Sequence, residues 1–335
     1  MPLLQIANLH THFKTDAGIA RAVDGISFDI EKGECVALVG ESGCGKSVTS
    51  LTIMRLLPMP PAFIPEGQVL FDGSDLARLS VKDMCQIRGR KIGMIFQEPQ
   101  SALNPVFPVG EQIAEAFLTH NPGAGTKAAW TRTIDSMRQV GIPDPERRAR
   151  DYPHQLSGGM KQRVCIAMAL ICDPELLIAD EPTTALDVTI QAQILELLKN
   201  LQRERKLSLL LITHDLGIVA EMAERTNVMY AGKIVEQAPT REIFSRPLHP
   251  YTQGLLRARP GGERSGARRR LSEIKGMVPA ATQFLDNCRF NPRCPLSTEI
   301  CVGKIPALAD YGNAHSAACF HTKAEGIDAW KDDVR

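Results

Sequence analysis

The sequence has almost no excess of charge of either sign. Its 335 residues include 39 Lys and Arg against 38 Asp and Glu, which leaves a formal net charge of +1. A protein dedicated to nucleic acid usually carries a broad basic field that attracts the phosphate backbone. The charge balance therefore argues against a nucleic-acid partner.

Long apolar runs are also missing. A membrane-spanning helix needs about 20 consecutive apolar residues, whereas the longest buried-looking run, 207–212, has the length of a strand. Residues 1–16 mix Gln, Asn and His with apolar residues, which is not the pattern of a signal peptide. Because 44% of the residues are apolar, the chain can bury a large core. We therefore expect a soluble cytosolic protein with a large α/β domain and an appendage.

Short apolar runs alternate with helix-like segments through the first two-thirds of the sequence. The runs at 34–39, 176–179 and 208–213 predict buried parallel strands, because their apolar residues are continuous. After the second run, apolar residues recur at the spacing of a helix face, namely at Ile190, Ile194, Leu197, Leu198 and Leu201. This alternation predicts an α/β fold with a doubly wound parallel sheet.

Three segments depart from this alternation. Residues 111–150 are helix-like and charged, and the breakers at 121–123 interrupt them, so they predict an inserted helical subdomain. Ala231-Gly232 lies between two short apolar pieces, which predicts a β-hairpin. Residues 257–270 are rich in Arg, Gly, Pro and Ser, which predicts a solvated linker.

The strongest local motif is a glycine-rich loop of the form G-x-x-x-x-G-K-S at 40–47. It follows a predicted strand and precedes a helix-compatible stretch, which is the context of a phosphate-binding loop. Its backbone N–H groups can converge on a phosphate, and the next helix directs its positive end there. Lys46 would neutralise phosphate oxygens, and the Ser47 hydroxyl would bind Mg²⁺. The residues of this predicted site are Gly40, Gly43, Cys44, Gly45, Lys46, Ser47 and Val48.

Two further motifs extend this chemistry. An apolar strand ends in Asp180 and Glu181, which are placed to hold Mg²⁺ and to polarise a water in line with the γ-phosphate. Ser157, Gly158 and Gly159 open a helix-like run and make a second anion site. Two phosphate-type sites far apart in one chain are natural if two subunits sandwich nucleotide between them.

In this order, the motifs resemble the ATP-binding subunits of ATP-binding-cassette (ABC) transporters. The resemblance covers 3–238 and includes three more positions: Gln97 within 94–99, Asp187 within 185–187, and His214 within 212–215. It implies a RecA-like P-loop ATPase core with an antiparallel β edge, an inserted helical subdomain and bound ATP and Mg²⁺.

The resemblance also implies individual roles. Gln97 would sense Mg²⁺ and the membrane partner, His214 would contact the γ-phosphate, and Asp187 would contact the other subunit of a dimer. Phe13 would stack on adenine, where the family usually has Tyr; an ordinary core Phe is the alternative. The implied catalytic residues are Lys46, Gln97, Glu181 and His214. The implied Mg²⁺ ligands are Ser47, Gln97 and Asp180.

Residues 100–105, 152–160, 180–189 and 246–252 are similar to the peptide-importer branch of this family. The branch implies import of dipeptides or oligopeptides across the bacterial inner membrane, with this chain as a peripheral protein on the cytoplasmic face. Its implied partners are a second homologous ATPase subunit in a heterodimer, two transmembrane permease subunits and, indirectly, a periplasmic solute-binding protein. The alternatives are a nickel or glutathione importer, and a soluble ABC ATPase that acts on nucleic acid.

Four late cysteines form the last constellation: Cys288, Cys294, Cys301 and Cys319. In a small, poorly hydrophobic domain, such thiolates can supply folding energy by binding a metal. Their spacing is not the C-x-x-C of most zinc ribbons. The tail resembles the C-terminal extension of peptide-importer ATPases, which implies a [4Fe–4S] cluster on these residues. Structural Zn²⁺ and then unligated thiols are the alternatives, and His315 is either a substitute ligand or a surface histidine.

These features predict four regions. We expect the ATPase core at 1–100 and 165–240, and the helical subdomain with the signature motif at 101–164. A linker at 241–270 would lead to a C-terminal peptide-importer extension with a four-cysteine metal site at 271–335.

Overall fold

The computed structural model describes residues 1–98, 102–184, 186–258, 273–323 and 329, which belong to two compact units. The first unit comprises Met1–Asp29, Val36–Ala77 and Thr213–Arg335. The second unit comprises Ile30–Cys35 and Arg78–Ile212. Residues 99–101 and 185, which contributed to the motifs above, and 259–270 of the predicted linker lie outside the described residues.

The elements are numbered in chain order. The strands are β1 (Leu4–Thr15), β2 (Gly18–Ile30), β3 (Cys35–Val39), β4 (Ala62–Phe63), β5 (Gln68–Phe71), β6 (Ser74–Asp75), β7 (Ile92–Ile95), β8 (Leu176–Asp180), β9 (Ser208–Thr213), β10 (Arg225–Tyr230), β11 (Lys233–Pro239), β12 (Ala309–Asp310) and β13 (Ser316–Ala317). The helices are α1 (Lys46–Ile53), α2 (Val81–Ile87), α3 (Val109–His120), α4 (Thr126–Gln139), α5 (Pro145–Arg148), α6 (Gly158–Leu170), α7 (Val188–Arg205), α8 (Leu216–Met222), α9 (Thr240–Ser245), α10 (Pro250–Arg257) and α11 (Glu299–Gly303). Within the described residues, no helix is both long enough and apolar enough to cross a membrane.

The first unit contains an antiparallel sheet of order β2-β1-β5-β6, with β4 paired to β1. Side chains on a strand alternate between faces. On β1, however, the next buried residue after Ile6 is Leu9, three positions further on, and Thr11 follows it. Asn8, which lies between them, has a φ of 45°. This left-handed residue shifts the alternation and places His10 and His12 on the opposite face of the strand from Thr11.

The first unit also contains β12-β13-β11-β10-β3 as neighbouring strands of a second sheet. Strand β3 pairs in parallel with β10, and β10 pairs antiparallel with β11 across a turn at Ala231 and Gly232, which have φ values of 46° and 81°. This confirms the predicted hairpin. The tail strand β13 pairs with β11, placing Ala317 opposite Glu236.

An aromatic cluster joins the tail to the rest of the first unit. The rings of Tyr230 and Tyr251 have centroids 4.7 Å apart, and Phe290 of the tail lies 5.2 Å from Tyr230. All three side chains are fully buried. Helix α9 begins at Thr240 and helix α10 ends at Arg257, so the first half of the segment predicted as a linker, 241–270, is largely folded.

The second unit contains the parallel strands β9, β8 and β7 in that order. All residues of β8 and β9 are buried, which agrees with the strands predicted from their continuous apolar runs. Helices α3, α4 and α5 occupy the segment predicted to be helical. Helix α7 buries one face, formed by Ile194, Leu195, Leu198 and Leu201.

Candidate functional site

The glycine-rich loop connects β3 to α1 in the first unit, and close backbone contacts restrict two of its positions to glycine. Gly40 has a φ of 154°, and a Cβ there would lie 2.1 Å from the carbonyl oxygen of Met229. Gly45 has a φ of 111°, and a Cβ there would lie 2.4 Å from the carbonyl oxygen of Ala22. A side chain at either position would collide with neighbouring backbone, so the loop can keep this compact path only with glycine there.

Lys46 provides the positive centre of this loop. Its side chain is only 5% exposed, and its Nζ donates to the carbonyl oxygens of Gly40 at 2.8 Å and Glu41 at 3.0 Å. Carbonyl oxygens orient an ammonium group without cancelling its charge. Cys44 is buried in the same loop, and burial raises the pKa of its thiol, so it is a neutral filler. Ser47 and Val48 form the first turn of α1.

Phe13 lies on β1, on the same face as Thr11. The Thr11 hydroxyl is 3.0 Å from the hydroxyl of Thr52 on α1, so this face of β1 is turned towards α1. Phe13 itself is half-buried and pairs with Ala62 of β4. Its side chain is thus on the α1 side of the first unit.

In the second unit, Asp180 is the last residue of β8, and Glu181 directly follows it. Asp180 is buried, whereas Glu181 has a φ of 49°, an unusual value for a residue with a side chain. The Glu181 Oε2 accepts from Gln97 Nε2 at 3.0 Å and from the Thr184 hydroxyl at 2.8 Å. The structure thereby brings together two of the predicted site residues, Gln97 and Glu181, and fixes the carboxylate that we expect to polarise water.

The second predicted anion site is the N-terminus of α6, also in the second unit. Ser157 caps the helix by accepting from the Met160 backbone N at 3.3 Å, and Ser157 and Gly158 are exposed. A Cβ on Gly159 would lie 2.7 Å from Ile190 Cγ2 at the start of α7.

Asp187 caps α7 in turn, because its Oδ1 accepts from Ile190 N at 2.9 Å. The residues at 157–159 and Asp187 therefore lie at two neighbouring helix N-termini. His214, by contrast, belongs to the first unit, where it is exposed and directly follows β9.

The four tail cysteines all lie within 288–319 of the first unit, but they do not form a metal site. Among the described residues, the one group of three His, Cys, Asp or Glu ligand atoms within 4.8 Å of one another is at His10, His12 and Asp24, and no three of the cysteine sulfurs meet this distance. Burial raises the pKa of Cys288 to about 11 and of Cys294 to about 12, which favours neutral thiols. The prediction of a [4Fe–4S] cluster on Cys288, Cys294, Cys301 and Cys319 is therefore wrong, and the same distances give structural Zn²⁺ no support.

The expectations for His315 are also corrected. It is fully buried rather than on the surface, and its Nε2 lies 2.7 Å from Glu236 Oε1, which leaves it no place in a cysteine site. The histidine beside the cysteines is His321, whose Nε2 lies 3.4 Å from Cys301 Sγ.

Sequence reasoning missed three residues that position the motifs. Thr184 holds Glu181, the Tyr251 hydroxyl accepts from Glu41 N at 2.8 Å, and Arg293 binds the Glu41 carboxylate. Tyr251 and Arg293 each lie inside a stretch already singled out, at 246–252 and 288–294. Their position inside those motifs was the available signal.

Comparisons with known proteins find matches to two parts of the chain. A family model described as "ABC transporter" matches residues 23–184, and one described as "Oligopeptide/dipeptide transporter, C-terminal region" matches 235–301. The chain is 49% identical over 320 residues to the probable peptide ABC transporter ATP-binding protein y4tR of Sinorhizobium fredii, covering 96% of this chain and 95% of the relative. It is 51% identical over 318 residues to the dipeptide transport ATP-binding protein DppD of Bacillus subtilis, covering 95% and 94%.

The fold is similar to that of a solved structure of the ATP-binding cassette MJ0796, a dimer in a post-hydrolysis state bound to ADP and Pi. The TM-score is 0.64 and the sequence identity is 29%, and the match covers 71% of this chain and 99% of that chain.

Proposed function

The chain belongs to the ABC transporter family, as an ATP-hydrolysing subunit of its peptide importers, and we propose that it works by clamping ATP between two such subunits. One subunit would bind the triphosphate with its loop at 40–47. The other would contribute the N-terminus of its own α6. Each subunit would therefore lack half of a working site until a second one docks.

The observation that carries this proposal is the contrast between the two anion sites. Lys46 is buried within its loop, whereas Ser157 and Gly158 stand exposed at the N-terminus of α6. A helix N-terminus carries a partial positive charge and free backbone N–H groups, which bind phosphate oxygens. An exposed site of this kind suits a nucleotide held by another subunit.

The residues present fit the chemistry of ATP with Mg²⁺. The glycine-rich loop and Lys46 suit the phosphates, and the oxygens of Ser47, Gln97 and Asp180 are the donors that Mg²⁺ prefers. When bound, the ion would neutralise charge on the phosphate oxygens. Phe13 would stack on the adenine.

The hydrolytic step would rest on the side chains at the end of β8. Glu181, held by Gln97 and Thr184, would take a proton from the attacking water. His214 would contact the γ-phosphate, and Asp187 would contact the partner subunit. These roles follow the family resemblance residue by residue.

Transport would follow from differential affinity. The closed dimer binds ATP more tightly than the open one, so ATP favours closure, and loss of the γ-phosphate removes the group that both subunits hold. Gln97 and the helices within 101–164 would pass this motion to the membrane subunits.

The partners follow from the peptide-importer branch. We propose a heterodimer with a second, homologous ATPase, on two transmembrane permease subunits at the cytoplasmic face of a bacterial inner membrane. A periplasmic solute-binding protein would supply dipeptides or oligopeptides, with nickel or glutathione as the alternative cargo.

The decisive experiment measures the mass of a hydrolysis-deficient variant, Glu181→Gln, by light scattering with and without ATP and Mg²⁺. We expect a dimer mass that depends on ATP, formed with a co-encoded homologous ATPase rather than with a second copy of the chain. A second substitution, Ser157→Arg, should prevent the dimer while ATP still binds the loop. A sample that stays monomeric with ATP, alone and with every homologous ATPase, would refute the clamp.

A further inference from the structure

Two histidines and one aspartate meet on the face of β1 that lies opposite Phe13. His10 Nδ1 is 3.1 Å and His12 Nε2 is 3.3 Å from Asp24 Oδ1, and the three ligand atoms all lie within 4.8 Å of one another. Imidazole nitrogens combined with a carboxylate oxygen suit transition-metal ions. We propose that His10, His12 and Asp24 bind a divalent transition-metal ion of the Zn²⁺ type.

The orientation of the His10 ring supports this assignment. Its Nε2 lies 3.3 Å from Asn8 Oδ1, while Asn8 Nδ2 donates to Glu66 Oε1 at 2.7 Å. Since the Asn8 amide group donates to Glu66, its oxygen is the end that faces His10 and accepts a proton from Nε2. Nδ1 of the ring then faces Asp24 Oδ1, and an ion held between these two atoms would take one ligand from each residue.

The backbone is shaped to hold this ring. Gly25 has a φ of 80°, and a Cβ there would lie 3.1 Å from Asn8 Oδ1 and 3.2 Å from His10 Nε2. Asn8 also lies in the left-handed region, which Asn tolerates better than most residues. The glycine and the asparagine together leave room for the imidazole and for its hydrogen-bond partner.

The charges around Asp24 fix how it would bind the ion. Its Oδ2 accepts a hydrogen bond from the Arg289 guanidinium, and Lys233 Nζ lies 3.6 Å away. Burial disfavours the carboxylate, but Arg289 and Lys233 outweigh burial and lower the pKa of Asp24 to about 2. Asp24 is thus ionised and turns Oδ1 to the histidines, so it would be a single-oxygen ligand. Because two cations lie behind it, we expect weaker binding than at a structural zinc site.

The site also has a route to solvent. His10, His12, Asp24 and Glu66 all line one pocket on the first unit. Three protein ligands leave a Zn²⁺ ion with a further open position, which a water can fill. The bound ion would link β1 to β2.

The test titrates the nucleotide-free, chelator-treated chain with ZnCl₂ and follows heat by calorimetry and the histidine ring nitrogens by ¹⁵N NMR. We expect about one His-bound ion per chain, with shifts of His10 Nδ1 and His12 Nε2. The variants His10→Ala and His12→Ala should each lower affinity by more than about tenfold. Asn8→Gly, which tolerates the same backbone conformation, should lower it by about tenfold because it removes the partner that orients the ring.

Two controls separate this site from other sources of binding. His154→Ala changes an exposed histidine in the second unit and should have no effect. A Cys288→Ser, Cys294→Ser double variant should keep the histidine-dependent ion. Zn²⁺ binding that survives loss of both His10 and His12 would overturn the proposal. So would wild-type His10 and His12 signals that move with pH but not with Zn²⁺, and this measurement needs no variant to fold.

Discussion

The guanidinium of Arg293 contacts both carboxylate oxygens of Glu41, at 2.6 and 3.0 Å, across 252 positions of sequence. Arg293 belongs to the tail and is only 5% exposed, and Glu41 is the second residue of the glycine-rich loop. Burial opposes the charge on Arg293, but the bond to Glu41 outweighs it and raises the pKa of the guanidinium. A bidentate pair of this kind fixes the relative orientation of the two side chains as well as the distance between them. The tail therefore holds the loop that we propose binds the phosphates.

We predict that Arg293→Met weakens ATP binding by about tenfold, or about 1.4 kcal/mol, because the loop loses its fixed partner. Arg293→Lys should recover only part of this affinity, since a lysine offers a point charge in place of a fork. Equilibrium titration with ATP measures both. Arg138→Met, which breaks exposed ion pairs to Asp135 and Glu146, is the matched control. If Arg293→Met binds ATP with unchanged affinity, the contact between the tail and the loop does not support ATP binding.

Removing the carboxylate of Glu181 should abolish turnover without abolishing binding. The amide of Glu181→Gln cannot take a proton from water, so we expect the rate of phosphate release to fall by about 10²- to 10⁴-fold. ATP affinity should stay close to that of the wild type. Glu196→Gln on the exposed face of α7 is the control and should hydrolyse ATP normally. Near-normal turnover in Glu181→Gln would remove this residue from the reaction.

The loop should not tolerate a side chain at Gly45. Gly45→Ala combines a positive φ with a Cβ only 2.4 Å from a backbone carbonyl, so we expect loss of ATP binding and a marked fall in the free energy of unfolding. Gly73→Ala is the matched control, because its φ is 79° but nothing lies within 4 Å of the added Cβ. Backbone strain alone should lower the free energy of unfolding of Gly73→Ala by about 1–2 kcal/mol. Urea unfolding and ATP titration compare the two, and equal losses would exclude the steric argument.

Stability should depend on pH through His249. This residue is buried beside Glu236 and caps α10 by accepting from Tyr251 N. Burial lowers its pKa to about 4, although Glu236 opposes the shift. A histidine in an unfolded chain has a pKa of about 6.5. At a pH between about 4 and about 6.5, His249 is therefore protonated in the unfolded state and neutral in the folded state.

The free energy of unfolding should therefore fall as the pH drops through this window, by about 3 kcal/mol in total, and not further below it. His249→Asn keeps an N-capping side chain and should flatten the slope. Urea unfolding at a series of pH values measures it, with the exposed His154→Ala as the control. A slope that persists in His249→Asn would assign the dependence to another group.

Local features of the molecule could be predicted well from its sequence. The strands β3, β8 and β9 carry continuous apolar runs, and the β10–β11 turn carries Ala231 and Gly232, so neighbouring residues alone indicate them. The glycine-rich loop was recognisable because its spacing reflects backbone contacts. The long-range pairs were not predictable, because Arg293 reaches Glu41 only through the fold.

The tail was the least predictable region. Its four cysteines suggested a metal, yet burial raises the pKa of the Cys288 and Cys294 thiols, and no three of the four sulfurs lie close enough together to share an ion. His315 had no local sign of burial, since its partner Glu236 lies 79 positions earlier. Histidines at 10 and 12 gave no signal either, because Asp24 joins them only when β1 and β2 pair.

The tail strand β13 covers the outer side of β11, with Ala317 opposite Glu236 and Ser316 opposite Gln237. Shortening the chain after α10 would uncover a sheet edge, which invites pairing with other chains and precipitation. It would also remove His315, which contacts the fully buried carboxylate of Glu236. We therefore expect the extension to unfold together with the rest of the first unit, and chimaeras that exchange tails between relatives to need the matching β11 edge as well.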